Sequence, residues 1–404
     1  METSGTDSPA LAVKPREWQI AALKIWAGRM SGVAEVVTGG GKTVFSLMCA
    51  SVFREQHPYG RLAVVVPTLA LLDQWVIEIT ESGLFANSEI GIHAGGVSPA
   101  ASSALCHVMT MVAAREAAPR VAAEGATMIV VDECHRIASP SNSRALNADF
   151  AATLGLSATP EREYDELFHT EVAPILGEIF FKYTYADALE SGVISRFRLR
   201  NIQVPLTTEE KDEYERLSRA IGVLIRRQKE ISDFDERMKR LLQQRAAVSA
   251  NAGYRVPAAV KVMDGYRGQR AIVFHERIES AEAIARELES RGHRVARYHS
   301  QIGAPLRRSE LLLYRNGLVD VLVTCRALDE GLDVPNTEVA VIASSTASRR
   351  QRIQRVGRAL RPKSDSALAT VVTLFATRQE RIRLEEDPQA LGADSVEWGH
   401  VSVQ

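Results

Sequence analysis

The sequence predicts an α/β protein with two parallel-sheet units joined by a helical element, and three observations lead to this prediction. In the first half, short runs of β-branched and other apolar residues alternate with segments of helical periodicity. A charged stretch from about 206 to 250, in which Gly222 is the one glycine, interrupts the alternation. The alternation then resumes. Continuous apolar runs separated by helices are typical of parallel sheets covered on both faces.

The elements follow from these runs in order. Predicted strands of the first unit cover 34–37, 62–66, 128–131 and 153–156, with helices such as 43–54 and 69–80 between them. The charged stretch predicts one or two long solvated helices, because it is dense in mixed charge and contains no proline and no glycine other than Gly222. Strands of the second unit are predicted at 271–274, 294–298, 319–323, 339–342 and 368–374. The expected domains are 1–195, a helical linker or thumb-like element at 196–258, a second domain at 259–380, and a tail at 381–404.

Composition restricts the class of protein but not its function. The chain has 404 residues, of which 46% are hydrophobic and 25% charged, with a net charge of −1. Its four cysteines form no C-x-x-C pair, so we expect reduced thiols without disulfides or a zinc site. The first ten residues, METSGTDSPA, have no apolar core. We therefore expect a cytoplasmic protein without a membrane segment.

Residues 36–43, VVTGGGKT, follow a predicted strand and begin a predicted helix. Consecutive glycines let the backbone wrap around phosphate oxygens, and a helix N-terminus presents N–H groups to an anion. The lysine would reach the β and γ phosphates of a nucleotide, and the hydroxyl after it would hold Mg²⁺. Val36 stands where the strict pattern has glycine, so a glycine-rich turn with an incidental lysine is the alternative. The candidate cofactors are ATP and Mg²⁺, and the residues are Thr38, Gly39, Gly40, Gly41, Lys42 and Thr43.

The segment MIVVDECH at 128–135 is an apolar strand that ends in two adjacent carboxylates. Asp132 at the end of a neighbouring strand would hold the Mg²⁺ shell, while Glu133 would orient and deprotonate the attacking water. A surface Asp-Glu pair is the alternative, but it becomes improbable about ninety residues after a GGGKT turn. The two segments together predict ATP binding and hydrolysis.

With these segments in this order, the sequence resembles the superfamily 2 helicases, whose fold is two tandem RecA-like domains. Arg16 and Gln19 in REWQ resemble the adenine-reading segment, with Gln19 as the base contact. VVVPTLALLDQW (64–75) resembles motif Ia, in which Pro67 and Thr68 would touch the nucleic-acid backbone. Thr110 is a weaker match to motif Ib.

Motifs II and III of the family match DECH (132–135) and LGLSATPER (154–162). The resemblance implies that the histidine of motif II and the SAT triplet of motif III couple hydrolysis to the grip on the strand. It makes an interdomain hydrogen bond more probable than metal binding for that histidine. The implied coupling residues are His135, Ser157, Ala158 and Thr159.

The second half carries the remaining motifs. AIVFHE (271–276) resembles motif IV, VLVTCRALDEGLDVP (321–335) motif V, and RRQRIQRVGRALRP (349–362) motif VI. The resemblance implies that Thr324 lies near a nucleic-acid phosphate and that Gly331 and Asp333 lie near the nucleotide. Gln354 would contact the site, and Arg358 and Arg361 would be arginine fingers, a catalytic device worth about 10³–10⁵ in rate. A solvated basic helix or a plain phosphate-binding patch is the alternative for motif VI.

Motifs Ia and III look most like the branch of XPB-type repair helicases and related phage and bacterial remodelling enzymes. The implied function is an ATP-dependent helicase or translocase on nucleic acid, DNA in preference to RNA, in repair, recombination or phage defence. A nucleotide-switched clamp without net translocation is the alternative, and a targeting protein partner is left open. A P-loop kinase or GTPase is disfavoured, because neither explains motif VI. Trp18 and Trp75 are expected in the core rather than stacked on bases.

Overall fold

The computed structural model describes residues 15–37, 39–94, 104–158, 168–193, 197–226, 233–325, 337–344, 369–391 and 395–401. Described residues up to 193 belong to one compact unit, and those from 197 onwards belong to a second. No helix in these ranges is long and apolar enough to span a membrane.

The first unit is built on a parallel sheet. Its strands are β1 (Val33–Val36), β2 (Arg61–Val66), β3 (Ile90–His93), β4 (Cys106–Thr110), β5 (Thr127–Asp132), β6 (Ala152–Ser157) and β7 (Ile179–Tyr183). Within the described residues they form one seven-stranded sheet in the order β3-β4-β2-β5-β6-β1-β7, with parallel pairing throughout. The helices are α1 (Glu17–Ala27), α2 (Lys42–Gln56), α3 (Leu69–Ser82), α4 (Met111–Ala123), α5 (Ala173–Leu176) and α6 (Tyr185–Glu190).

The central strands of this sheet are the apolar runs of the sequence. Every residue of β5 and β6 is buried, because helices cover both faces of a parallel sheet. One core cluster joins β2, β4 and β5 to α4 and α5. Carboxyl ends of parallel strands lie at one edge of the sheet, so the residues that follow β1, β5 and β6 are brought to the same edge.

The second unit repeats this design. Its strands are β8 (Phe197–Gln203), β9 (Ala271–Phe274), β10 (Val295–Tyr298), β11 (Val321–Thr324), β12 (Val339–Ile342), β13 (Ala369–Phe375) and β14 (Ser395–His400). In the described ranges they form a seven-stranded parallel sheet in the order β10-β11-β9-β12-β13-β8-β14. The helices are α7 (Thr208–Arg226), α8 (Phe234–Ala250), α9 (Arg255–Asp264), α10 (Ile278–Ser290), α11 (Ala304–Arg315) and α12 (Arg378–Leu391).

The predicted two-sheet α/β architecture is confirmed, with two differences in the second unit. Both ends of the predicted linker 196–258 belong to the second unit. At its start, β8 lies in the second sheet between β13 and β14, and at its end α9 packs in the core of that unit. The predicted tail at 381–404 also contributes β14, which pairs in parallel with β8. Both strands carry charged or polar residues at alternate positions, so they lack the continuous apolar run on which the strand predictions rested.

Candidate functional site

The glycine-rich turn leads from β1 into α2, as the sequence predicts. Gly39 and Gly41 have left-handed φ angles of 83° and 100°, which side chains rarely adopt. A Cβ on Gly40 would lie 2.7 Å from a methyl group of Val36 and 3.0 Å from the carbonyl oxygen of Val37. Lys42 is the first residue of α2, so the free N–H groups of that helix open toward the turn. Thr38 lies outside the described residues.

The segment ahead of α1 holds this turn through its carbonyl groups. Arg16 Nη1 and Trp18 Nε1 both donate to the Gly40 carbonyl, at 2.5 and 3.1 Å. Gln19 Nε2 donates to the Gly41 carbonyl at 2.9 Å, and Gln19 Oε1 accepts from the Arg16 backbone at 2.8 Å. The Gly40 N–H donates to the Val37 carbonyl at 3.0 Å, so the donors left to face an anion are those at the start of α2. The adenine contact of Gln19 stays a prediction.

Trp18 is nine-tenths buried in an aromatic cluster rather than exposed for base stacking. Its ring lies 5.1 Å from Tyr183 and 6.0 Å from Phe181 in stacked geometry, and 5.4 Å from Phe45 in tilted geometry. These rings belong to β7 and α2, so the cluster fixes α1 beside the phosphate turn. The expected core role of Trp18 is confirmed.

The two carboxylates follow β5 at the same edge of the sheet. Asp132 is buried, its Oδ1 accepts from the Glu133 backbone at 2.9 Å, and its Oδ2 accepts from Trp75 Nε1 at 3.0 Å. Glu133 has a left-handed backbone conformation with φ of 50°. Such a conformation costs a non-glycine residue about 1–3 kcal/mol and is concentrated at functional sites. The chain therefore holds both carboxylates in defined orientations.

The side chains of Lys42 and Glu133 are in contact, although β6 lies between the strands that lead to them. The order β5-β6-β1 places β6 between the strand of the phosphate turn and the strand of the carboxylates. Lys42 Nζ nevertheless lies 3.4 Å from Glu133 Oε1, and both side chains are about nine-tenths buried. The structure thus brings together the two charged groups that the sequence assigns to phosphate binding and to water activation.

His135 connects the second motif with the third. Its Nδ1 lies 3.0 Å from Ser157 Oγ at the end of β6, and 3.6 Å from Glu133 Oε2. Burial raises the pKa of the neighbouring Cys134 thiol. Ala158 is described next to Ser157, whereas Thr159 lies outside the described residues.

Two helix N-termini lie side by side at the same edge. Val66 at the end of β2 is the register partner of Thr110 at the end of β4. Thr68 caps α3 by accepting from Leu71 N at 3.3 Å, and Thr110 caps α4 by accepting from Ala113 N at 3.4 Å. Adjacent helix N-termini favour a chain of phosphates. Pro67 precedes the first cap, so all three predicted backbone contacts of this unit lie together.

The second unit places Thr324 at the carboxyl end of β11. The residue is completely buried, and among the described residues its Oγ1 has no hydrogen-bond partner. His275 follows β9 at the same edge, and burial lowers its pKa to about 4. His299 follows β10, where its Nε2 lies 2.6 Å from Glu282. The predicted site residues of motifs V and VI other than Thr324 lie outside the described residues: Gly331, Asp333, Gln354, Arg358 and Arg361.

A Mg²⁺ ion fits the donor groups of the first unit. Thr43, in the first turn of α2, supplies a hydroxyl group, and Asp132 supplies a carboxylate held by two hydrogen bonds. Mg²⁺ takes oxygen ligands and keeps several waters, so it needs few protein ligands. In the described ranges, no group of three or more His, Cys, Asp or Glu residues could hold a metal ion.

Trp75 is a candidate site residue for which the sequence motifs do not indicate a role. It was expected in the core, and it is fully buried, but its indole nitrogen orients Asp132. The one signal was its place in motif Ia, after a strand that neighbours β5. Sequence alone does not give that neighbourhood, because the two residues are 57 positions apart.

Two family descriptions match the chain. Residues 12–162 match the res subunit of type III restriction enzymes, and residues 255–363 match the helicase conserved C-terminal domain. Curated relatives include a DNA 3'-5' translocase, XPB2, of Sulfurisphaera tokodaii, which is 26% identical over 92% of this chain and 84% of that protein. A Haloarcula marismortui protein provisionally named DNA 3'-5' helicase Rad25 is 27% identical over 95% of this chain, which spans 56% of that longer relative.

Among solved structures, Saccharomyces cerevisiae Dbp5 bound to RNA and ADP BeF3 has a similar fold. Its TM-score is 0.64 at 15% identity, with 96% of this chain and 90% of that chain covered. At this identity the likeness concerns the fold alone. The two parallel sheets are therefore tandem RecA-like domains.

Proposed function

With a res-subunit domain followed by a helicase C-terminal domain, the chain belongs to the superfamily 2 helicases, and we propose that it moves along DNA in the 3'-5' direction. ATP hydrolysis is the activity of this family. DNA as the track and the direction of movement are supported by the names of the two relatives described above. A role in DNA repair is consistent with the XPB resemblance.

The Lys42–Glu133 ion pair is the observation that supports ATP hydrolysis, the reaction that would drive this movement. Hydrolysis of ATP requires a cation on the β and γ phosphates and a base for the attacking water. Lys42 lies next to the N–H groups at the start of α2, and Glu133 lies 3.4 Å from its ammonium group. We propose that the phosphates draw Lys42 away and leave Glu133 as the proton acceptor. The base would then become active when nucleotide binds.

The other groups of the site have distinct roles in this mechanism. Thr43 and Asp132 would hold Mg²⁺, which supplies positive charge to the phosphate oxygens. Trp75 and the Glu133 backbone orient the Asp132 carboxylate. Arg16 and Gln19 are proposed to lie near the adenine while they hold the phosphate turn. Gly331, Asp333 and Gln354 are proposed to complete the nucleotide site, and Arg358 and Arg361 to stabilise the developing charge.

Contacts with DNA are proposed at Pro67, Thr68, Thr110 and Thr324. The paired caps of α3 and α4 support the first three, because two adjacent helix N-termini suit successive phosphates. The His135–Ser157 hydrogen bond supports a coupling role for motifs II and III, because it joins the carboxylate loop to the end of β6. Ala158 and Thr159 would extend this link.

The test is ATP hydrolysis by the wild type and by Glu133→Gln, each without nucleic acid and with single-stranded DNA, duplex DNA, forked DNA and RNA. We expect DNA to stimulate the wild type and Glu133→Gln to bind ATP but lose hydrolysis by about 10²–10⁴-fold, the usual contribution of a general base. Glu124→Gln is the control, because Glu124 pairs with Arg61 on the surface. Equal rates with every nucleic acid would contradict the motor. Displacement of a triplex third strand separates a translocase from a clamp.

A further inference from the structure

A groove in the second unit lies where the α7–α8 hairpin meets α12. The side chains that define it come from all three helices, and its lining includes Tyr214, Arg245, Ser249, Gln379, Glu380 and Arg383. None of these residues belongs to the predicted motifs. The helicase motifs therefore leave the groove without a role.

The floor of the groove is the carboxylate of Glu380, which is paired with an arginine and accepts hydrogen bonds at both oxygens. Glu380 Oε1 accepts from Arg255 Nη2 at 2.6 Å, and Oε2 accepts from Ser249 Oγ at 2.5 Å and from the backbone of Ala376 at 2.8 Å. Arg255 is completely buried. Its guanidinium also donates to Ser249 O, Ala343 O and Leu374 O at 2.7–2.8 Å. Glu380 therefore adds no net negative charge to the groove, and its position is fixed from below.

The walls of the groove carry two arginines that lack a carboxylate partner among the described residues. Arg245 lies 5.6 Å above the Tyr214 ring and donates weakly to Ser218 Oγ at 3.4 Å. Arg383 is exposed and makes no hydrogen bond or ion pair with any residue in the described ranges. Arg216, on α7, illustrates the usual arrangement, because it pairs with Glu213 at 2.6 Å. Two guanidinium groups whose charge is not neutralised make this groove a site of positive charge.

The groove also has an oriented amide. Tyr214 donates its hydroxyl hydrogen to Gln379 Oε1 at 3.1 Å, so the Gln379 nitrogen is directed away from that bond and can donate to a ligand. Guanidinium groups and amides are donors that suit phosphate oxygens. The groove thus presents donors and net positive charge to a compact anion.

The location of the groove indicates which anion it meets. Arg255 ties its floor to Ala343 and Leu374, which lie at the carboxyl ends of β12 and β13. Thr324 lies at the carboxyl end of β11 in the same parallel sheet, two and three strands away. With strands about 4.8 Å apart, the separation is about 10–15 Å along one edge. The floor of the groove is therefore tied to the same edge of the sheet as Thr324, the nucleic-acid contact that the family resemblance implies.

We propose that this groove binds a backbone phosphate of the nucleic acid, with Arg245 and Arg383 as the binding residues. The proposal rests on the proposed function, since it adds a contact for the same track. It also gives the hairpin a role, because the base of the hairpin grips the strand beside the sheet. Arg255 connects that grip to the ends of β12 and β13.

The experiment measures DNA affinity of the full chain against potassium chloride concentration, for the wild type, Arg245→Gln, Arg383→Gln and the double variant. Each lost phosphate contact should reduce the slope of log K against log salt by about 0.7 for single strands and about 0.9 for duplex. This corresponds to about 5–8-fold weaker binding at 0.1 M salt for each arginine. Arg245→Lys should recover most of the loss, because it keeps the charge.

Arg216→Gln and Arg294→Gln are the matched controls. Each removes the same charge, but from an exposed arginine that is paired with a carboxylate outside the groove. A groove variant whose slope equals that of these controls would overturn the proposal. So would groove variants that lose binding to polyglutamate while their DNA affinity is unchanged, because the groove would then be a site for an acidic peptide. A wild type that binds no nucleic acid would refute the proposed function itself, and the two failures are therefore distinguishable.

Discussion

Replacing Trp75 with phenylalanine removes one hydrogen bond from the carboxylate that we propose to hold the Mg²⁺ shell. The indole nitrogen donates to Asp132 Oδ2 at 3.0 Å, and both side chains are buried. Phenylalanine keeps part of the apolar contacts of the buried indole and has no donor. The Asp132 carboxylate then keeps the bond from the Glu133 backbone to Oδ1 but loses the donor that orients Oδ2.

The expected magnitude follows from the charge of the acceptor. A hydrogen bond to a charged group contributes about 1.5–3 kcal/mol to stability, whereas a bond between neutral groups contributes about 0.5–1.5 kcal/mol. Loss of a group that orients a metal ligand typically costs about 10–100-fold in metal affinity or activity. We therefore expect Trp75→Phe to need about 10–100 times more Mg²⁺ for half-maximal ATP hydrolysis.

Trp26→Phe is the matched control. Trp26 is also fully buried, and its Nε1 donates at 3.0 Å to a neutral backbone carbonyl, that of Thr153. Both variants should be destabilised in urea unfolding, and only Trp75→Phe should shift the Mg²⁺ dependence of hydrolysis. Equal Mg²⁺ dependence in the two variants would refute the assignment of Trp75 as the residue that positions Asp132.

Three further outcomes are expected. Gly40→Ala should weaken ATP binding by about 1–3 kcal/mol in a nucleotide titration, because the new Cβ would lie 2.7 Å from a methyl group of Val36. Its control is Gly222→Ala in α7, where a Cβ meets open space, so this variant should stabilise the fold by about 0.5–1 kcal/mol. Arg255→Met should lower the free energy of unfolding in urea by about 3–5 kcal/mol, because it leaves a carboxylate without its buried partner; a loss below about 1 kcal/mol would contradict this. Burial lowers the pKa of His93 from 6.5 to about 4, so the unfolded chain binds the proton more readily than the folded chain. The contribution of neutral His93 to the free energy of unfolding should be fully present above pH 6.5 and should be lost as the pH falls toward 4. In unfolding curves measured across this range, His93→Gln should reduce that loss.

The sequence predicts best those strands that are buried on both faces of the sheet. The strands β5 and β6 are buried along their whole length, so their residues form continuous apolar runs that can be recognised without the structure. The strand β14 is at the edge of its sheet, and five of its six residues are exposed. Its sequence, SVEWGH, contains no apolar run, and the partner that makes it a strand, β8, lies almost two hundred residues earlier.

The same distinction applies to the site. The phosphate turn and the carboxylate pair are each contained within a few consecutive residues, so local sequence is sufficient to predict them. The residue that orients Asp132 is distant in sequence, because Trp75 reaches it across 57 positions. In the second unit, Arg255 likewise reaches Leu374 and Glu380 across 119 and 125 positions. Such contacts depend on the order of strands in the sheet, which no local pattern contains.

Strand order also explains why Ser157 is a suitable residue for coupling. The strand β6 lies between β1 and β5, so its carboxyl end is next to both the phosphate turn and the carboxylates. Ser157 ends this strand and is within hydrogen-bond distance of His135. His135 in turn lies 3.6 Å from Glu133, the residue paired with Lys42. A change in the phosphates that moves Lys42 therefore reaches the end of β6 through three consecutive polar contacts. Ser157→Ala removes the last of these contacts without touching Lys42 or Glu133, so it should leave basal hydrolysis intact and reduce its stimulation by DNA.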